Sequence, residues 1–353
     1  MDKIKVGIIG AGGYGGCGAI ELLQRHPHAE LTVLIDKQNV GQRISEIYPH
    51  LQGFCDLVIE SPDSSEIPDD LDVVFFATPD GVGQQFAPQW LKKGVRVIDY
   101  SGDFRFNDLE TYLDYASRIG RPKEHKSPNL LPKTVYGLAE LHRDEISNSS
   151  LVGNPGCFAV SCILGLAPAV KDKLIETETI ICDSKTGVSG AGKNPNPMFH
   201  YPARYDAMNA YKISGHQHVF EIERELSLVA KKDIRITFTP HVVPLCRGIL
   251  STIYAQLREG ITLDKVMQSY DEFYGQDKFV RVFGPDKPQI STAVRGSNFC
   301  NLSLNVDQRT GKLIVVSLID NLVKGQAGSA VQNMNIMFGL DEGAGLMQPG
   351  IYP

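Results

Sequence analysis

Lys5-Val6-Gly7-Ile8-Ile9-Gly10-Ala11-Gly12-Gly13-Tyr14-Gly15-Gly16 is a short apolar strand that runs directly into a cluster of glycines. A helical stretch follows to about Arg25, carrying Ile20, Leu22 and Leu23. Strand, glycine turn and helix, in that order, are what a dinucleotide loop requires. Without β-carbons the backbone can approach a pyrophosphate, and the helix N-terminus stabilises its charge. The spacing Gly10-x-x-Gly13-x-x-Gly16 therefore assigns Gly10, Gly13, Gly15 and Gly16, with Tyr14 among them, to cofactor binding. An ordinary glycine turn is the competing reading, and the segments that follow argue against it.

Leu31–Ile35, Leu71–Ala77 and Val95–Asp99 read as further strands with helices between them. This alternation implies an α/β domain with a Rossmann-type, doubly wound parallel sheet. Its second strand ends on Asp36-Lys37. An acidic residue there suits the ribose hydroxyls of NAD and a basic one the 2′-phosphate of NADP, so the local chemistry leaves both open. Thr78, in Thr78-Pro79-Asp80-Gly81 at the same sheet edge, either lines the nicotinamide or turns the chain.

From Asn154 onward the pattern changes. Longer alternating strands are expected at Arg235–Pro240, Ile249–Leu257, Phe299–Val306 and Leu313–Ile319, with few helices between them. They predict an α+β domain with a mainly antiparallel sheet. At 353 residues the chain exceeds the usual reach of one hydrophobic core. The expected division is a dinucleotide-binding domain over 1–153, completed by a C-terminal helical segment 325–353, and a catalytic domain over 154–324.

Composition excludes several classes. Thirty-five Lys and Arg against 41 Asp and Glu give a net charge of −6, which argues against nucleic acid as a partner. No stretch has the length or apolarity of a membrane span, and no secretory leader is expected. The seven cysteines are odd in number and include no Cys-x-x-Cys pair, as expected for reduced thiols in a cytoplasm without a zinc framework.

The chemistry centres on Gly153-Asn154-Pro155-Gly156-Cys157-Phe158-Ala159, a Gly/Pro-shaped turn directly before the apolar helix read over Val160–Val170. A thiol in the first turn of a helix faces unpaired N–H groups and the positive end of the dipole. Both favour the thiolate, which is the nucleophile. A buried structural cysteine is the competing reading. A nucleophile needs a general acid–base, and His216-Gln217-His218-Val219-Phe220-Glu221 supplies two histidines with a carboxylate to orient one of them. If that segment is extended, only one of the two points inward. His-x-His also suits a metal, but no further ligands stand at suitable spacing, so no metal is expected.

Arg105, in Ser101-Gly102-Asp103-Phe104-Arg105, and Arg247, in Pro244-Leu245-Cys246-Arg247-Gly248, are candidates for a bidentate clamp on a substrate carboxylate. Gly187-Val188-Ser189-Gly190-Ala191-Gly192-Lys193 nearly matches a triphosphatase loop, but Asn194 replaces the magnesium-binding hydroxyl. Ser189 and Gly190 remain candidates for holding a substrate or cofactor phosphate through backbone N–H groups.

Gly153–Cys157 resembles the active-site signature of the N-acetyl-gamma-glutamyl-phosphate reductases of arginine biosynthesis. Gly187–Gly192, His216–Ile222, Pro240–Tyr254 (PHVVPLCRGILSTIY) and Ile319–Leu340 (IDNLVKGQAGSAVQNMNIMFGL) agree with the same family. The resemblance implies an NADP(H)-dependent cytoplasmic enzyme, a dimer or tetramer, that reduces an acyl phosphate of a small molecule to N-acetylglutamate 5-semialdehyde. It implies Cys157 as nucleophile, His216 as proton donor with Glu221 orienting it, and Asn154, Arg105 and Arg247 toward the substrate. The chain departs from the family in three places. Val160-Ser161 follow the signature, Asp36-Lys37 stand where Ser-Arg is usual, and Gln217 replaces an Arg between the histidines. The rival expectations are a reductase of carrier-protein-linked aminoadipyl or glutamyl phosphate, an aspartate-semialdehyde dehydrogenase, and a non-catalytic NADP-sensing protein on the same fold.

Overall fold

Val73–Phe76 (VVFF) is buried at every position, as a strand covered on both faces of a parallel sheet must be. It is β4 of a seven-stranded sheet whose other members are β1 (Ile4–Ile9), β2 (Ala29–Ile35), β3 (Ile59–Glu60), β5 (Arg96–Asp99), β6 (Val135–Tyr136) and β7 (Leu151–Gly153). The order is β3-β2-β1-β4-β5-β7-β6 and every pairing is parallel. The order reverses between β1 and β4, the point at which open sheets of this kind hold ligands outside the carboxyl ends of their strands. The computed structural model describes residues 2–287 and 289–352. Within it this sheet belongs to a unit formed by Met1–Pro155 and Gln326–Gln348.

The second unit comprises Gly156–Gly325 and Pro349–Pro353. Its sheet contains β8 (Ile175–Thr186), β9 (Asn209–Ala210), β10 (Thr237–Val242), β11 (Ile249–Leu257), β12 (Val280–Phe283), β13 (Cys300–Asp307) and β14 (Lys312–Ile319), in the order β12-β13-β14-β11-β8-β10-β9. β8–β10 and β12–β13 pair parallel and the other four pairs antiparallel, so the sheet is mixed with an antiparallel majority. In β11 alternate residues Ile249, Ser251, Ile253, Ala255 and Leu257 are buried. That face packs against the helix Cys157–Lys171, where a β-carbon on Gly165 would come within 2.7 Å of Ile253 Cδ1.

Pro168 lies inside that helix and has no N–H for the carbonyl of Leu164. The hydroxyl of Tyr274 donates to that carbonyl at 2.6 Å, and Tyr270 donates to the next one, Gly165, at 2.6 Å. Both tyrosines come from the helix Leu263–Tyr274, which the sequence reading omits, as it omits the helix His218–Ala230. The expectation of few helices among the later strands is thus corrected. The C-terminal reading also changes: the tail helix spans Gly328–Met337, and Pro349–Pro353 lie with the second unit. Among the described residues no helix is long and apolar enough to cross a membrane.

Candidate active site

Cys157 is the first residue of its helix and is partly exposed, whereas Phe158–Val170 are buried. The N-cap, Gly156, is extended (φ −75°, ψ 145°) and has no side chain with which to cap the helix. Its N–H instead donates to Glu221 Oε2 at 2.9 Å. A β-carbon on Gly156 would collide with the His218 imidazole and stand 2.8 Å from Glu221 Oε1. On the other side is Gly325, where a β-carbon would lie 2.7 Å from Cys157 Cβ. Two glycines therefore set the space in which the thiol stands, and only the first is part of the motif read from sequence.

Both histidines are buried, His216 in the turn before the helix His218–Ala230 and His218 as its first residue. The expectation that only one points inward fails because the segment turns into a helix. His216 sits among rings: Phe158 at 5.5 Å, Tyr211 at 5.6 Å, Phe238 at 5.5 Å and His218 at 4.7 Å between centroids. Burial there pushes its pKa down to about 2, with further lowering from His218 and Lys212. The imidazole is therefore neutral at physiological pH. Its Nδ1 accepts from the N–H of His218 at 3.2 Å, which leaves the proton on Nε2, 3.5 Å from the Tyr211 hydroxyl.

The element that sets the His216 tautomer is thus a backbone N–H, in place of the Glu221 carboxylate that the sequence suggests. Glu221 holds the turn before Cys157 and lies 3.9 Å from His218 Nε2. Tyr211 was not legible as a site residue. Its hydroxyl pKa is raised, first by burial and then by the charge of Cys157, so it stands within electrostatic reach of the thiol.

Arg247 forms an ion pair with the buried Asp320: Nη2 donates to Oδ1 at 3.1 Å, and Nε lies 3.1 Å from Oδ2 without hydrogen-bond geometry. Asp320 also accepts the N–H groups of Gly296, Leu322 and Val323. In the Gly187–Gly192 loop the first N–H groups are engaged within the protein. The N–H groups of Gly187, Val188 and Ser189 donate to the carbonyls of Gly248, Leu245 and Cys246, and Gly190 donates to Gly187. Ser189 Oγ accepts from Asn321 Nδ2 at 3.0 Å.

In the first unit, Gly10 has φ +84°, and a β-carbon there would run into the Ala77 carbonyl. Gly16 is equally crowded by Gly10 and Ala11, while the space over Gly13 is open apart from Gly10 O at 3.6 Å. The helix Tyr14–Leu23 starts without a side-chain cap, with Tyr14 exposed at its first position. Gly15 faces the Gln326 side chain. Asp36 accepts from Gly12 N and Gln38 N, both at 3.0 Å, and Lys37 is exposed. Thr78 Oγ1, beside Gly10, is buried with no hydrogen-bond partner among the described residues. Open space over the loop, an uncapped helix start and an orphaned hydroxyl fit a dinucleotide.

Arg105 is buried in the same unit and donates to Asn154 O at 2.9 Å and Tyr100 O at 2.5 Å. Asn154 is fully buried; its amide donates to Gln326 O at 2.9 Å and accepts from Asn333 Nδ2 at 3.2 Å. With both ends engaged, its side chain ties the C-terminal segment to the end of β7.

Residues 5–149 match the family model described as "Semialdehyde dehydrogenase, NAD binding domain", and residues 157–321 match "Semialdehyde dehydrogenase, dimerisation domain". The N-acetyl-gamma-glutamyl-phosphate reductase of Geobacter sulfurreducens is 45% identical over 351 residues, covering 99% of this chain and 100% of that protein. The protein of that name from Syntrophobacter fumaroxidans is 44% identical over 343 residues, 97% of this chain and 98% of the relative. Among solved structures, aspartate semialdehyde dehydrogenase II of Vibrio cholerae, complexed with ASA, superimposes with a TM-score of 0.71 at 17% identity. That of Candida albicans with NADP gives 0.69 at 16% identity; each match covers 96% of this chain and 99% of the other. These two likenesses establish a shared fold.

Proposed function

Because the chain belongs to the N-acetyl-gamma-glutamyl-phosphate reductase family, we propose that it reduces N-acetyl-L-glutamyl 5-phosphate to N-acetyl-L-glutamate 5-semialdehyde, with release of phosphate, in arginine biosynthesis. The observation that carries this reading is the placement of Cys157 as the first residue of a helix, flanked by two glycines whose β-carbons would clash there, in the unit where a ring-enclosed imidazole packs on Phe158.

The Cys157 thiolate attacks the acyl carbon, the bond to the phosphate oxygen breaks, and a thioester forms. NADPH, when bound at the Gly10–Gly16 loop and Thr78, supplies the hydride that reduces the acyl group. The resulting tetrahedral oxyanion collapses as the sulfur leaves as thiolate, so this step takes up no proton; the one proton that the overall reduction consumes goes from solvent to the departing phosphate. This fits a neutral His216 that presents Nε2–H to the oxygen as a hydrogen-bond donor; the mechanism read from sequence asked it to release a proton. Glu221 fixes the Gly156 turn, and through it the sulfur. Arg105 and Arg247 are anchored by carbonyls and by Asp320; any donor each directs at a substrate carboxylate is held by those anchors.

The partly exposed face of the second sheet, with Ile181, Thr252, Tyr254, Ile314 and Val316 in register across β8, β11 and β14, supports pairing with a second copy. Seven free cysteines suit a reducing cytoplasm. The test is the reverse reaction: N-acetylglutamate semialdehyde, phosphate and NADP⁺ or NAD⁺, followed by cofactor absorbance. Phosphate-dependent reduction of NADP⁺ is expected. Turnover only with carrier-linked aminoadipyl or glutamyl semialdehyde would replace the substrate, and cofactor binding without any turnover would replace the enzyme reading.

A further inference from the structure

Cys17, Glu21 and His50 converge in the first unit. Cys17 and Glu21 stand one turn apart on the helix Tyr14–Leu23, and His50 comes from the turn Pro49–Leu51. One potential ligand atom from each lies within 4.8 Å of the other two. Cys17 Sγ is 3.7 Å from Glu21 Oε1, and His50 Nε2 is 2.8 Å from the same oxygen. We propose that these three side chains bind one zinc-like divalent cation.

Two of the three ligand–ligand distances can be set against that geometry, and the third, sulfur to nitrogen, lies within 4.8 Å. With Zn–S about 2.3 Å and Zn–O and Zn–N about 2.0–2.1 Å, a tetrahedron has S···O and N···O edges of roughly 3.5 and 3.3 Å. The sulfur–oxygen edge is already present. The nitrogen–oxygen edge has to open by about 0.5 Å, which the exposed His50 side chain permits. The donor set is one thiolate, one imidazole and one carboxylate. Its softness favours zinc over magnesium or calcium, and three protein ligands leave a fourth position for water. On binding, Cys17 releases its thiol proton to solvent and the imidazole coordinates as the neutral base.

The site also has a place in the fold. Two ligands share one face of a helix, a rigid spacing, while the third is carried by a turn whose Tyr48 hydroxyl donates to Gly12 O at 2.9 Å. A bound cation fastens that turn to the helix that opens the glycine loop. Sequence alone conceals the set, because Glu21 and His50 lie on different elements.

Zinc titration against a chromophoric chelator tests the proposal, with the full chain carrying Cys157→Ser so that the reactive thiol does not contribute. One saturable equivalent is expected, together with a thiolate-to-metal charge-transfer band when cobalt replaces zinc. Cys17→Ala should abolish that band. His50→Gln, at an exposed position that leaves the helix intact, should weaken binding beyond the roughly 10–100-fold that follows loss of an outer-shell partner. The absence of a saturable equivalent in the Cys157→Ser protein, or one retained undiminished by both variants, overturns the site and leaves a surface His–Glu pair beside a thiol. The readout is metal binding and does not depend on which substrate the enzyme uses.

Discussion

In the first unit the carboxyl of Asp99 lies fully buried with Asp103 at the carboxyl end of β5; in the second the imidazole of His216 lies among Phe158, Tyr211 and Phe238. Burial acts on both and in opposite directions. It raises Asp99 well above the usual carboxylate range, helped by the charge of Asp103, and it lowers His216. Each group is driven to its neutral form. Their surroundings separate their roles. Asp103 accepts from Gly81 N, Gln84 N and Gln84 Nε2, and Asp99 accepts from Ser101, so those carboxyls bind loops together. Around His216 the Tyr211 hydroxyl stands 3.5 Å from Nε2, a long contact that Nε2–H can exchange for a reacting oxygen. Desolvation alone therefore does not mark a catalytic group.

The largest expected effect lies on the chemical side of this comparison. Cys157→Ser should lower turnover by at least about 10³-fold while dinucleotide binding, followed by fluorescence titration, persists. Iodoacetamide should label Cys157 ahead of the fully buried Cys182, and equal labelling would remove the case for an activated thiol. Next, His216→Asn should cost about 10²–10⁴ in kcat, more than His218→Asn, with circular dichroism unchanged. The reverse ranking would transfer the role to His218.

Gly325→Ala should cost about 1–3 kcal/mol of stability in a denaturant melt and slow Cys157 alkylation, because its methyl group meets Cys157 Cβ. Stability against pH tests the comparison directly. His216 stays neutral when folded but protonates when unfolded, so its contribution is full above about pH 6.5. It is lost as pH falls toward 2, by at most about 1.4 kcal/mol per pH unit. Asp99 has the opposite sign: its raised pKa favours the folded state in acid, and that contribution fades as pH rises. His216→Asn should flatten the fall in stability below about pH 6.5, and Asp99→Asn the loss that sets in above about pH 4; unchanged pH profiles in both variants would break the comparison. The smallest effect concerns Asp36, whose carboxylate is held by Gly12 and Gln38 N–H groups. Asp36→Asn should improve kcat/KM for NADPH by up to about tenfold, about 1 kcal/mol, by removing like charge near a 2′-phosphate.

What was legible in the sequence was whatever depends on local geometry. The glycine loop, the Cys157 turn and β11, whose expected limits Ile249–Leu257 coincide with the observed ones, each carry their own periodicity or backbone requirement. β3, β6 and β9, two residues each, exist because a neighbouring strand offers partners, and no residue pattern announces them. β8 was missed for another reason: Thr177-Glu178-Thr179 interrupts its apolar residues on a strand partly open to solvent. At the site, Cys157 and the histidine pair could be read because spacing relates them. Tyr211, Phe238 and Gly325 could not, since only the fold brings a ring or a missing side chain against those groups. Glycines show where backbone can approach something, and at Gly187 what it approaches is the backbone of Cys246 and Arg247, which the sequence does not announce.

The Tyr274 hydroxyl on the Leu164 carbonyl joins residues 110 positions apart. Until the helix Leu263–Tyr274 has been made and docked, the carbonyl left open by Pro168 has only water to bind, inside a segment that is otherwise buried. The helix that presents the nucleophile is therefore not an autonomous folding unit. On a ribosome its amino-terminal turn emerges long before its carboxyl half can be completed. The reactive thiol is thus synthesised early and acquires its environment late. During that interval the nascent chain carries an exposed apolar helix and an unprotected cysteine together, the period in which aggregation and oxidation compete most directly with folding.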